Sequence, residues 1–589
     1  MKSHKEHTED EYMILTAEEQ EAFENEYQLN NERMVEEYRK VLDREATYKG
    51  DQFLSQVFNI DEEVEKYGKK IFLIAGVGAG KSSWVKNVLA LKSGADGNTL
   101  FITSRRAKVD EDTEQSLFDS RLDIKDKRSY WRTLVTNSKL GYFLKDISMQ
   151  KENKDNALID KFLDRYKYII IDEVHSLAAD STFADSSFCV LSFMEYAVEK
   201  GKIVVAMTGT PQPIYHYFLE NNWHIRDFRK QCKYVKPMRI DKIIKDKVLK
   251  KIKSELEAER KVIYFVNNVA QIKALCKKLT TTKKISEEKA IIEPQYLSVI
   301  VAKTRNEELK DQLKDLGGIA KKIIDNSQKT YNNIVQKQLL PDTCKILIST
   351  STLREGIDIF NENVTVICDN HILSNIIQFC GRTRLGDSVF YVVEDSSPHK
   401  IEPNELLYCY ACKDEMNAAN HFYVNEVDGK LFGHQTNEFI EHVERNVYVR
   451  FNYIKKIFMI DHMRYKEELR LKCCLDTWEE DLKEYCNEYN IPNFYMTSSQ
   501  KKEWVLKGLD NLVAKEKMYL DHSQKEQLCQ YLYAMLGFKK MHKQYTKINE
   551  ELKRYGYKII SDTESQGDNR NKNYWQFVKI EKKKNERAL

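Results

Sequence analysis

Between residues 66 and 230, short runs of Ile, Val, Leu and Phe recur, each separated from the next by a longer stretch of mixed polarity. They predict strands at Lys70–Ala75, Thr99–Ser104, Thr133–Thr136, Tyr168–Asp172 and Ile203–Thr208. The runs are nearly continuous in apolar residues rather than alternating, as a strand buried on both faces requires. Such strands, spaced by helical stretches, imply a parallel sheet covered by helices on both sides. A second series at Lys261–Val266, Leu297–Ala302, Cys344–Ser349, Val364–Cys368 and Ser388–Val393 gives a second α/β unit.

Past residue 400 the periodicity changes to that of amphipathic helices rich in Tyr, Glu and Lys, with Phe439–Phe458 and Arg464–Tyr489 as examples. The C-terminal stretch predicts helices at Gln500–Ala514, Gln524–Leu536 and Tyr545–Arg554, then strands Gly556–Ser561 and Tyr574–Ile580 around a polar turn. Three helices and a hairpin are the layout of a winged helix. The hairpin's Arg570, Lys572, Tyr574, Trp575 and Lys579 suit a duplex or fork contact. The same residues also suit a small packing domain with a solvated basic tail. The expected division is therefore an acidic helical extension over 1–65, α/β units over 66–234 and 235–400, a helical accessory region over 401–495, and a basic C-terminal domain over 496–589.

A chain of 589 residues exceeds what one core supports, in keeping with several domains. The net charge of +3 conceals an arm of opposite sign: residues 1–50 hold 14 acidic and 7 basic side chains, which leaves +10 on the remainder. A near-neutral total therefore does not forbid a basic groove for nucleic acid. No apolar run approaches the roughly 20 residues a membrane span needs, so no membrane partner is expected. The polar N-terminus is unlike a secretory signal, and the 12 scattered cysteines fit a reducing cytoplasm. Cys409 and Cys412 lack a matching second pair, and their irregular relation to Cys473 and Cys474 points to free thiols rather than zinc.

The chemistry concentrates at two strand ends. Ala75-Gly76-Val77-Gly78-Ala79-Gly80-Lys81-Ser82 follows the first strand and precedes a predicted helix, Ser83–Leu91. Its glycines let backbone N–H groups turn toward β- and γ-phosphates, Lys81 adds a charge there, and the Ser82 hydroxyl can ligate Mg²⁺. Gly76, Gly78, Ala79, Gly80, Lys81, Ser82 and Ser83 are thus the candidate nucleotide contacts. Asp172-Glu173-Val174-His175 ends the fourth strand. Asp172 can hold Mg²⁺ through water, and Glu173 is placed to polarise an attacking water. Together these imply ATP and Mg²⁺ as ligands.

With further segments, the chain resembles the superfamily 2 helicases and translocases of the DExH type over about 66–395. Thr103-Ser104-Arg105-Arg106 resembles the family's Ia motif, and Thr136-Asn137 resembles a later backbone-contacting motif. Thr208-Gly209-Thr210-Pro211 resembles the third motif, which couples hydrolysis to movement. Phe265-Val266-Asn267-Asn268 resembles motif IV. The segment from Thr350 through Gly356 to Asp358 resembles motif V, whose Gly and Asp approach the nucleotide. Gln378-Phe379-Cys380-Gly381-Arg382-Thr383-Arg384 resembles motif VI, whose arginines reach the γ-phosphate. Many relatives carry the second arginine one residue later, where this chain has Leu385.

The resemblance implies two tandem RecA-like domains. It implies catalytic roles for Lys81, Asp172, Glu173, Gln378, Arg382 and Arg384, with nucleotide contacts at Gly356 and Asp358. It further implies nucleic-acid contacts at Thr103, Ser104, Arg105, Thr136, Asn268 and Thr350, and coupling through Thr208, Gly209 and Thr210. There is no Pro-Thr-x-Gln upstream of the phosphate loop, and neither Gln52 nor Gln56 is marked as an adenine contact. The expected function is a nucleic-acid-dependent ATPase that unwinds or translocates along a strand, DNA favoured over RNA, in replication, repair or defence, with protein partners docking on the terminal regions. An ATP-switched interaction module that never separates strands is the competing expectation.

Overall fold

The computed structural model describes residues 51–580, apart from 93, 105–108, 110–117, 124–130, 151–152, 182–185, 268, 281–289, 302–304, 351–352, 354–357, 386, 395–402, 425–433, 490, 494–497, 537–543 and 565–571. The expected acidic extension over residues 1–50, Arg570 and the basic tail lie outside the described residues. The chain divides into two compact units. One runs to Tyr234 and includes Ile372–Ser374 and Pro398–Asp481; the other comprises Val235–His371, Asn375–Ser397 and Leu482–Leu589.

The first unit is built on a parallel sheet of β1 (Lys70–Ile74), β2 (Thr99–Thr103), β3 (Arg132–Thr136), β4 (Tyr168–Ile171), β5 (Ile203–Thr208) and β6 (His224–Asp227), in the order β3-β2-β4-β5-β1-β6. Alternate residues of each strand enter two separate cores. Phe72, Ile74, Leu100, Ile102, Ile169 and Ile171 pack on one face, and Ile71, Leu73, Phe101, Tyr168 and Ile170 on the other. All of these are essentially inaccessible to solvent, which is why the runs lack polar alternation. At about 1.5–3 kcal/mol per buried large aliphatic side chain, this double burial is the main force holding the sheet.

The same unit carries the segment after residue 403. There the expectation of a helix over Phe439–Phe458 fails. A helix covers only His434–Val443, and a hairpin follows, formed by β13 (Val449–Asn452) and β14 (Ile457–Ile460). The reversal is local. Asn452 Oδ1 accepts from the N–H groups of Ile454 and Lys455, and Lys456 takes a left-handed φ of 55°. Opposite each other in register, Phe451 and Phe458 close with ring centroids 5.1 Å apart. A helix, His462–Glu488, begins directly after the hairpin.

The second unit repeats the plan. Its sheet comprises β7 (Arg239–Ile244), β8 (Lys261–Phe265), β9 (Leu297–Ile300), β10 (Ile346–Ser349), β11 (Val364–Cys368) and β12 (Val389–Glu394), in the order β7-β12-β11-β8-β10-β9, again parallel. After residue 497 come helices Ser498–Val513, His522–Leu536 and Tyr545–Leu552 with β15 (Lys517–Met518), β16 (Tyr557–Thr563) and β17 (Asn573–Lys579), ordered β15-β17-β16. A short first strand returning beside the last is winged-helix topology. Its core gathers Leu509, Leu532, Ile548, Leu552, Trp575 and Phe577. Among the described residues, no helix is long and apolar enough to cross a membrane.

Candidate nucleotide and nucleic-acid site

The candidate nucleotide-binding groups of the first unit lie just past strand ends. β1 delivers the chain into a loop whose Gly78 and Gly80 adopt φ of 90° and 83°, a region that side chains with a Cβ avoid. Gly76 is required for another reason: a Cβ there would lie 2.5 Å from the Tyr234 ring. The loop is fixed on both sides, by the Ala75 N–H donating to Thr208 O at 3.0 Å and the Leu54 N–H donating to Ala79 O at 2.8 Å. Lys81, buried, donates its ammonium to the carbonyls of Ala75 and Gly76 at 3.0 and 3.4 Å. The helix after it is only four residues, Lys81–Trp84, and continues as a π-helical turn over Val85–Leu89.

Because β4 and β1 flank β5, the tip carrying Thr208 stands between the phosphate loop and the Asp-Glu pair. The Ser82 hydroxyl donates to Asp172 Oδ2 at 2.8 Å, and the other Asp172 oxygen accepts from the Glu173 N–H at 3.1 Å. Glu173 sits at φ 51°, unusual for a residue with a side chain. The Val174 N–H, donating to Met207 O at 2.9 Å, fixes that turn against β5. His175 Nδ1 lies 3.3 Å from Glu173 Oε2 and 2.9 Å from Thr208 Oγ1, and Thr208 Oγ1 also accepts from the Thr210 N–H at 3.0 Å. Asp172, Glu173, His175, Thr208 and Thr210 are all buried.

His175 is the residue that sequence reasoning passed over. It was visible as the fourth position of the motif, but its link to Thr208 depends on two strands distant in sequence becoming neighbours. Phe53 is a second omission. Its half-exposed ring rests against Gly80 with the Lys233 ammonium 4.7 Å from its centroid. Gln56 spends its side-chain oxygen on the Phe53 N–H at 2.7 Å, and Gln52 pairs through its backbone with Cys232 and Lys233.

Thr103 and Thr136 face each other in register at the ends of β2 and β3. The Thr136 hydroxyl caps the helix Asn137–Ser148 by accepting from the Lys139 N–H at 3.1 Å. Beside Thr103, the buried Ser104 hydroxyl has no hydrogen-bond partner among the described residues. Arg105, Asn268 and Gly356 lie outside the described residues.

In the second unit, Thr350 follows β10 and is buried. Arg382 and Arg384 converge on Asp358. Arg384 donates to its Oδ1 at 2.6 Å and Arg382 reaches the same atom at 3.4 Å. Arg382 is the more enclosed of the two and also donates to the carbonyl and side-chain oxygens of Gln378, each at 3.2 Å. The loops are held together by Ile359 N–H to Arg382 O and Arg384 N–H to Ile359 O, at 2.8 and 3.0 Å. Asp358 and the two motif VI arginines thus form one cluster. Cys409 and Cys412 show no such convergence: among the described residues no group of three or more His, Cys, Asp or Glu could hold a metal.

A family model described as "Type III restriction enzyme, res subunit" matches residues 22–213, taking in the phosphate loop, the Asp-Glu pair and Thr208–Pro211. Over those residues the chain is similar to that family. Each of its two units carries a six-stranded parallel sheet, in keeping with the expected tandem RecA-like domains. No curated protein matches the sequence. Among solved structures, the DUF1998 helicase MrfA bound to DNA aligns at 13% identity over 69% of this chain and 60% of that one, with a TM-score of 0.37. Mss116p bound to ssRNA and AMP-PNP aligns at 13% over 82% and 86%, with a TM-score of 0.36. The Escherichia coli DEAH/RHA helicase HrpB aligns at 11% over 63% and 46%, with a TM-score of 0.39. The chain therefore spans about 60% of the MrfA chain's length.

Proposed function

We propose that this chain is a nucleic-acid-dependent ATPase that uses ATP and Mg²⁺ to move along or unwind a strand, DNA in preference to RNA, in replication, repair or defence. The observation that carries the reading is the run of contacts from Ser82 through Asp172, Glu173 and His175 to Thr208 and Thr210. It joins the phosphate-binding end of the sheet to the motif expected to relay hydrolysis.

Gly76 to Ser83 would hold the phosphates. The Ser82 hydroxyl and Asp172 carboxylate are hard oxygen donors 2.8 Å apart, a pair that fits Mg²⁺. When bound, that ion supplies charge neutralisation for the phosphates. Glu173 orients and deprotonates the attacking water, while His175 holds its carboxylate toward β5. Phe53 and Tyr234 present aromatic surface beside the loop for a purine. Arg382 and Arg384, positioned by Gln378 and Asp358, are the cations for charge developing on the transferred phosphoryl group. Thr103, Ser104, Arg105, Thr136, Asn268 and Thr350 would grip the strand backbone.

Residues 66–234 and 235–400 serve as the motor domains. The regions 401–495 and 496–589 are accessory and, with the acidic extension, offer surfaces to protein partners. The decisive experiment measures ATP turnover with ssDNA, dsDNA, forked DNA and RNA, followed by single-turnover strand separation. DNA is expected to raise turnover, and Lys81→Ala to abolish it. If no polymer raises turnover, the reading is wrong.

A further inference from the structure

β8 and β11 are parallel neighbours with Phe265 opposite Cys368, so Val266-Asn267 and Asp369-Asn370 emerge side by side at the sheet's C-terminal edge. The helix Leu373–Cys380 adds Asn375 and Phe379. Together Phe265, Val266, Asn267, Asn370, Asn375 and Phe379 line a cavity of about 80 Å³. Its apolar part is a stacked ring pair, Phe265 on Phe379, with centroids 3.9 Å apart and planes 18° from parallel.

The polar part is a relay of amides. Asn375 donates to Asn370 Oδ1 at 3.3 Å, and Asn370 donates to Asn267 Oδ1 at 2.9 Å. Gln271 braces this rim, accepting from the Asn267 N–H at 3.0 Å and donating to Asp369 at 3.3 Å. The Asn267 amide nitrogen makes no hydrogen bond among the described residues and is a donor at the cavity.

Among the described residues no charged side chain lines this cavity, which makes it ill-suited to a phosphate. Amides that both donate and accept, set against aromatic carbon, match a flat uncharged heterocycle. Asparagine pairs well with the adjacent acceptor and donor of an adenine edge, while the buried, mutually stacked rings form an apolar wall and offer no open stacking face. We infer that this cavity takes one base of the bound strand, adenine best, so that the second unit reads a base where its neighbouring loops would grip phosphates. The inference rests on the nucleic-acid reading above.

The test compares binding of the full chain, by fluorescence anisotropy, to an oligodeoxyadenylate and to an abasic strand of equal length and charge. The base-bearing strand should bind about tenfold tighter, the order expected of one well-made amide–base contact. Asn370→Ala should reduce its affinity to the abasic level while leaving abasic binding unchanged, which also reports a folded protein. Asn267→Ala, at an exposed position, should lose about threefold and keeps the test open if the first variant misfolds. Equal affinity for the two wild-type complexes, or a preference that survives both substitutions, overturns the base pocket alone. Failure to bind either strand overturns the pocket and the nucleic-acid reading together.

Discussion

Glu173 occupies a left-handed backbone conformation that costs a residue with a Cβ about 1 kcal/mol. The turn persists because the Val174 N–H is tied to β5 and the Glu173 N–H to Asp172. Such strain aims the carboxylate at His175, so fold and chemistry make opposite demands on one residue. Glu173→Gln keeps the shape and should lower turnover about 10²–10⁴-fold with nucleotide binding retained. Turnover at the wild-type rate would remove Glu173 as the base.

Gly76 poses a simpler steric question. Gly76→Ala sets a methyl against the Tyr234 ring and should destabilise the first unit by about 1–3 kcal/mol in urea unfolding. Adding Tyr234→Ala should restore most of the loss; no restoration would mean that the contact is not the cause. The phosphate loop and the Asp-Glu pair were legible because backbone chemistry restricts those positions to few residue types. The Tyr234 and His175 contacts were not, because each depends on a residue that only the sheet order brings close.

Strands announced themselves where both faces are buried. The ten that continuous apolar runs predicted are present, with ends shifted by no more than two residues. β6, β7 and β15 were missed because they are short or carry charge, as His224–Asp227 and Arg239–Ile244 do. The hairpin was read as helix because Phe451 and Phe458 also fit a helical stripe, and only the Asn452 turn separates the two readings.

The short helix Tyr215–Glu220 carries a titration of its own. Burial, reinforced by the Lys466 charge, pulls the His216 imidazole down to about 4. The folded state therefore keeps His216 neutral, while the unfolded chain takes up a proton below about 6.5. Its contribution is complete above that pH and is lost as pH falls toward 4. Since His216 is only partly buried as a residue, the loss should be about 1–2 kcal/mol rather than the full shift. His216→Gln should flatten the fall in Tm across that window; an unchanged profile would assign the effect elsewhere.

At the scale of the whole molecule, the late segments follow no boundary visible in composition. Residues up to 481 join the first unit through contacts such as the Asn156 amide on Ile454 O at 2.9 Å and Lys466 on Glu220 at 2.8 Å. Those after 481 join the second, through the Ile240 N–H on Pro492 O at 2.8 Å and Lys236 on Tyr489 O at 2.6 Å. Backbone acceptors carry no sequence signature, so that assignment could not be read beforehand.

The proposed grip on phosphates also makes a demand on the entire surface. Each phosphate neutralised on a single strand should weaken binding about two- to threefold when salt rises fourfold. A fall of at least about tenfold between 50 and 200 mM salt is expected in strand-binding titrations, and salt-independent binding would contradict the backbone grip.

Asp358 imposes a competition. Two guanidiniums already have an anion of their own, so a γ-phosphate bound as proposed would have to displace a tethered rival. By mass action, apparent ATP affinity is diminished by the fraction of time the carboxylate holds them. Asp358→Asn, which keeps the shape and discharges the rival, should tighten nucleotide binding even where it slows turnover. Binding weakened to the same degree as turnover would instead make Asp358 a nucleotide contact. Tightened binding would identify Asp358 as an intramolecular decoy for the two arginines.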